Sequence, residues 1–176
     1  MRFALTLIGA ALFSTTTFAA GYFEKKSGDM SDDGLDPTKV TLKVGANTID
    51  GDYGNSAQGL DRDYFTIKIG KGQTLASIIL DPKTIVGFNV SFIGVQKGRQ
   101  VTVDPNGNDP SGLLGWTHYG TADESTDILP AICMGQGAKG CTPPLGPGSY
   151  SFWVQELSTC QCHYRFIFNV AARAED

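Results

Sequence analysis

Apolar and polar residues alternate with a period of two along much of the chain. Val40, Leu42 and Val44 alternate with Thr41 and Lys43, and Asn47 to Gly51 is a second short run. Phe65, Ile67 and Ile69 alternate with Tyr64, Thr66 and Lys68, and a nearly continuous apolar run covers Leu75 to Leu80. Phe88, Val90 and Phe92 share one face, with Ile93 and Val95 on the other, and Val101 and Val103 add a short strand. Near the end, Tyr150, Phe152 and Val154, then Tyr164, Phe166, Phe168 and Val170, give the clearest alternations. Side chains of a strand point alternately to its two faces, so each run reads as a strand with one apolar side.

Turn-formers punctuate these runs: Gly70-Lys71-Gly72, Asp81-Pro82 and Asp104-Pro105-Asn106-Gly107-Asn108-Asp109-Pro110. From Leu113 to Pro147 glycine and proline predict a long loop, with one helical turn around Asp123 to Leu129. About eight short strands joined by turns predict an all-β fold, an antiparallel β-sandwich or jelly roll. The expected organisation is a signal peptide over 1–19, an acidic lead-in over 20–37, one β domain over 38–171 and a polar tail over 172–176.

The amino terminus changes the expected compartment. Arg2 precedes an apolar run from Phe3 to Phe13, and Thr17-Phe18-Ala19 offers small residues where a signal peptidase reads them. The run is too short to span a bilayer, so secretion or periplasmic export is expected, with no membrane span after cleavage. Export allows disulfides among Cys133, Cys141, Cys160 and Cys162. Pairing Cys160 with Cys162 closes a ring over one intervening residue, so bridges between the Cys133/Cys141 loop and the Cys160/Cys162 turn are favoured. A zinc site from these thiols and His163 fits no common ligand spacing.

Composition excludes some partners. The 176 residues carry a net charge of −4, which leaves no basic footprint for nucleic acid. Half of the acidic residues lie between Glu24 and Asp63. Asp29, Asp32, Asp33 and Asp36 crowd a flexible segment, and Asp61 and Asp63 follow a turn. Hard cations take several oxygen ligands, so these six are the candidate calcium ligands, although the loop is no EF-hand. The competing reading is a solvated acidic loop built on Asx-turns.

Several phrases resemble a known family. Asp61-Arg62-Asp63-Tyr64-Phe65-Thr66-Ile67-Lys68-Ile69 followed by Gly72-Gln73-Thr74-Leu75 is similar to the pre-peptidase C-terminal domain, as is the Gly148-Ser149-Tyr150 opening of the last hairpin. Gly28 to Asp33, Ser91 to Gln96 and Phe152 to Glu156 resemble secreted bacterial domains of the exosortase-sorted, PEP-CTERM type. The sorting tail of those proteins is missing, which implies release to the periplasm or medium. The resemblance implies a small β-sandwich with a binding or solubilising role and no catalytic residues.

Trp116, His118, Tyr119 and Trp153 are the candidate ligand-binding residues, because aromatic rings stack on the apolar faces of sugars. The sequence therefore reads as a secreted non-catalytic module for an extracellular polysaccharide, surface or protein partner, with calcium as its one candidate cofactor. Two alternatives stand beside it. One is a small hydrolase using His118 with Asp123, Glu124 or Asp127, although no Gly-x-Ser-x-Gly or His-Glu-x-x-His phrase supports it. The other is a structural envelope or matrix component.

Overall fold

The computed structural model describes residues 20–57, 59–87 and 90–173. The expected signal over 1–19, Phe88 of an expected strand and the tail residues 174–176 lie outside them. Within them the chain is all-β and mostly antiparallel. Nine strands form one curled sheet: β1 (Ala20–Phe23), β2 (Thr38–Lys39), β3 (Gly45–Ser56), β4 (Gly59–Ile69), β5 (Gln73–Leu80), β6 (Ser91–Lys97), β7 (Gly115–Tyr119), β8 (Gly148–Gln155) and β9 (Cys162–Ala172). The main path runs β5-β9-β3-β4-β8-β6-β7. Strand β1 adds to β3 and β2 to β4, both in parallel.

Curling follows from where β3 and β4 meet. They pair only at their hairpin end, Gly54 with Asp61 to Ser56 with Gly59. Beyond it β3 pairs with β9 and β4 with β8 over long registers. The two halves diverge from that hairpin and turn their apolar faces toward each other. Strand β9 shows why: Cys162, Tyr164, Phe166, Phe168 and Val170 are buried, while the residues between them are only partly covered. Phe65 of β4 and Phe152 of β8 stack at 5.1 Å, and Phe168 of β9 meets them edge-on at 6.0 and 5.2 Å. This aromatic contact is the centre of the core, where burial of rings dominates stability.

Local departures from the alternation have physical causes. Of the expected Val40–Val44 strand only the preceding Thr38–Lys39 pairs in a ladder, although Val40 is buried and its N–H bonds Thr66 O at 2.9 Å. Val101 and Val103 form no strand; Val101 N–H bonds Gly34 O, and its side chain packs on the outside of the sheet. The expected loop from Leu113 holds β7 and a short helix, α2 (Leu129–Cys133). Strand β7 escapes the period-two reading because its exposed face carries Trp116 and His118 instead of charged residues. The acidic lead-in is ordered too. Strand β1 and helix α1 (Glu24–Ser27) fall within it, Met30 is buried, and Ser31 O accepts the Tyr64 N–H. Among the described residues no helix is long and apolar enough to cross a membrane.

Candidate functional site

The outer face of the β4-β8-β6-β7 half carries a grid of rings and planar polar groups, placed there by strand register. One cross-strand row runs Tyr64, Trp153, Gly94, Trp116; the next runs Arg62, Gln155, Phe92, His118. Tyr64 stacks on Trp153 at 6.0 Å, Phe92 leans on Trp153 at 4.6 Å, and Trp116 stacks on Phe92 at 6.0 Å. Gly94 makes this possible. A Cβ there would stand 3.0 Å from the Phe92 ring, so its missing side chain is the space Phe92 fills.

The loop after β6 roofs the first row. Val101 and Leu113 pack against Tyr64 and Trp153, leaving Trp153 only 5% exposed. Its indole N–H is buried and has no hydrogen-bond partner. The second row stays open as a groove of about 520 Å³, with Phe92, Trp116, Trp153 and His118 beside Asp104, Asn106 and Asp109 of the rim. Arg62 spans it: Nε donates to Gln155 Oε1 and Nη2 to Asn106 Oδ1, both at 3.0 Å. Trp116 Nε1 donates to Gln136 O at 3.0 Å, which fixes the ring at the groove wall.

Three of the four sequence-predicted ligand residues meet here. Tyr119 does not. Its ring is fully buried on the opposite face of β7, where its hydroxyl donates to the Tyr53 hydroxyl at 3.1 Å. Register explains this, since Tyr119 is one residue out of phase with His118. Arg62, Gln155 and Asn106 were not singled out from sequence. Only pairing between β4 and β8, and a loop folded across both, bring them together.

The hydrolase alternative finds no acid partner for its histidine. His118 meets Phe92 and Trp116 by its ring. Asp123 accepts the Gly120 N–H, and Asp127 accepts those of Ile78 and Leu129. Among the described residues no hydrogen bond or ion pair joins His118 to a carboxylate.

The cysteines pair differently from the expectation. Cys133 bonds Cys141 and Cys160 bonds Cys162, so no bridge joins the two regions. Helix α2 ends at Cys133, and the glycine-rich turn after it returns Cys141 to a Cα distance of 4.6 Å. Cys160 instead lies against Gly54 of β3. No thiol is free for the zinc alternative, and the His163 ring nitrogens sit 2.7 Å from Asp52 Oδ1 and 3.1 Å from Asp50 Oδ2. Asp50 also accepts Arg165 Nε at 2.6 Å.

Of the six candidate metal ligands, two come together. Ligand oxygens of Asp29, Asp63 and Glu24 all lie within 4.8 Å of one another. Glu24 was missed from sequence because it reads only as the start of a short polar run. Asp61 lies beside the group: burial pushes its pKa up to about 6, with Asp29, Asp32 and Asp52 adding to the rise. Asp33 accepts the Leu35 N–H at 2.8 Å, the local turn-forming role of such residues, whereas Asp32 reaches across the chain to accept the Arg62 N–H of β4 at 3.0 Å. Asp36 is exposed and outside the cluster.

No protein-family model matches the chain, and no curated protein matches it.

Proposed function

We propose that the chain is a secreted, non-catalytic β-module that binds an extracellular polysaccharide through the outer-face groove. The observation that carries this reading is the open groove in which Phe92 and Trp116, backed by the buried Trp153, adjoin the fixed planar groups of Arg62, Gln155 and Asn106. Sugar rings present apolar C–H faces that stack on aromatic planes, and their hydroxyls bond planar amide and guanidinium edges. A few placed polar groups beside an aromatic floor is the usual composition of such a site. The acidic rim residues Asp104 and Asp109 and the net charge of −4 favour a neutral polymer over an anionic one. The export signal and the family resemblance read from the sequence support the same conclusion.

Affinity electrophoresis through gels containing soluble mixed-linkage β-glucan, galactomannan or dextran tests it. The wild-type protein should be retarded by at least one. Trp116→Ala should weaken that retardation by roughly tenfold, the loss of one stacking platform, with an unchanged melting temperature. Free migration of the wild type through all three gels overturns the reading.

A further inference from the structure

Asp63 lies on β4 with its side chain wholly buried, and neither carboxyl oxygen accepts a hydrogen bond. The nearby Tyr164 hydroxyl, which tempers the Asp63 pKa, is aimed at Met30 Sδ at 3.3 Å. A carboxylate withdrawn from water must be protonated or matched by positive charge. Among the described residues no ion pair supplies it. Every ion pair among the described residues involves Asp50 or Asp52, Arg62 is held by Gln155 and Asn106, and Lys26 lies over the Phe23 ring. Its ionisable neighbours are the Tyr164 hydroxyl and two acids, Glu24 and Asp29.

We propose that Asp63, Glu24 and Asp29 bind one hard divalent cation, Ca²⁺, which fastens the amino-terminal segment to β4. An ion that holds each oxygen at roughly 2.4 Å keeps any two of them no more than roughly 4.8 Å apart, and the three carboxylates lie within that limit pairwise. All donors are oxygen, the preference of Ca²⁺ and Mg²⁺ rather than of zinc or copper. Mixed burial, from the exposed Asp29 to the enclosed Asp63, suits the irregular, part-hydrated coordination of Ca²⁺ better than a rigid octahedron.

The local backbone is organised for this. Glu24 opens α1, and its carboxylate accepts the Met30 N–H at 2.9 Å and the Asp52 N–H at 2.6 Å. Those bonds leave one lone-pair direction per oxygen for a metal. The strand β1 before it and the turn carrying Asp29 after it therefore hang on the same carboxylate. Burial, then the neighbouring acids, push the Glu24 pKa up to about 7 despite two backbone donors, and push Asp63 well above the ordinary range. This site is separate from the groove, and neither test decides the other.

Calorimetric melting and titration of the purified protein with CaCl₂ test it, after removal of metals with EDTA and with MgCl₂ as comparator. The wild type should melt higher in Ca²⁺ than in EDTA and titrate with one site, more tightly for Ca²⁺ than for Mg²⁺. Asp63→Asn should lose the Ca²⁺-dependent rise, while melting in EDTA at or above the wild type because the unmatched charge is gone. Asp29→Asn, an exposed position that folding tolerates, should weaken Ca²⁺ by roughly tenfold through loss of a charged ligand. A wild-type melt and titration indifferent to about 10 mM CaCl₂, well above the affinity range of extracellular calcium modules, overturns the proposal. So does an undiminished Ca²⁺ response in both variants.

Discussion

The Ser91 hydroxyl donates to Glu156 Oε2 across 2.8 Å. Ser91 Oγ in turn accepts the Tyr53 hydroxyl at 2.6 Å, and Tyr53 Oη accepts the Tyr119 hydroxyl at 3.1 Å. Four buried groups from β7, β3, β6 and the end of β8 thus form one chain that ends on a carboxylate. It ties β7, β3 and β6 to the end of β8, and each member satisfies the next.

Ser91→Ala removes the middle of that chain. It leaves the Tyr53 hydroxyl without its acceptor and takes one donor from Glu156. Leaving buried polar groups unmatched costs more than the bond itself contributes, so a loss of about 1–3 kcal/mol is expected. Tyr119→Phe removes only the first donor, and about 1 kcal/mol or less is expected. Urea midpoints of the two variants check the order; equal losses contradict it.

Glu156 also sets a pH dependence. Burial alone would raise its pKa, but donors from Ser158, Ser91 and Gly87 together hold it below its ordinary 4.5. A carboxylate whose folded pKa is depressed releases its proton more readily when folded. Its contribution is therefore full above pH 4.5 and disappears as pH falls through the folded value. Stability should drop on acidification from pH 5 to pH 3 more steeply in the wild type than in Glu156→Gln. Urea midpoints across that range check it, and parallel curves contradict the assignment.

Gly94 tests the groove by geometry. An added Cβ would stand 3.0 Å from the Phe92 ring and 3.3 Å from Leu113 Cδ1. Phe92 is a half-buried side chain with room to move outward. Gly94→Ala should therefore shift the ring into the groove and weaken polysaccharide retardation, with a stability change within about 1 kcal/mol. Retardation equal to wild type would mean that Phe92 is not part of the binding floor.

The disulfides give a chemical check on the fold. Peptide mapping without reduction should recover Cys133 with Cys141 and Cys160 with Cys162, each within one short segment. In the chain-entropy account, opening the larger ring by Cys133→Ala with Cys141→Ala costs about 2.5 kcal/mol. The ring over Gln161 is far smaller, and its removal costs about 1 kcal/mol. A recovered peptide joining Cys141 to Cys160 contradicts the arrangement.

What the sequence by itself determined is the β class and the inward residues of the long strands. Phe65, Phe152, Phe166 and Phe168 declare their face by alternation, because side-chain direction in a strand depends only on position along it. Glycine and proline marked the turns, and ring chemistry alone singled out Trp116 and Trp153. Which strands pair was not legible, since pairing joins segments as distant as Arg62 and Gln155, and no local pattern encodes that distance. The cysteine partners escaped for the same reason: the expected long bridges depend on where α2 and the last hairpin dock. The acid cluster shows the limit most plainly. Asp29 and Asp63 stood out as charges, but Glu24 joined them only through the parallel docking of β1 on β3, and Asp63 became a buried, unmatched charge only when the sheet curled over it. Local chemistry chooses residue types, whereas burial and proximity belong to the closed fold, and those two decide whether a carboxylate stays solvated or needs a cation.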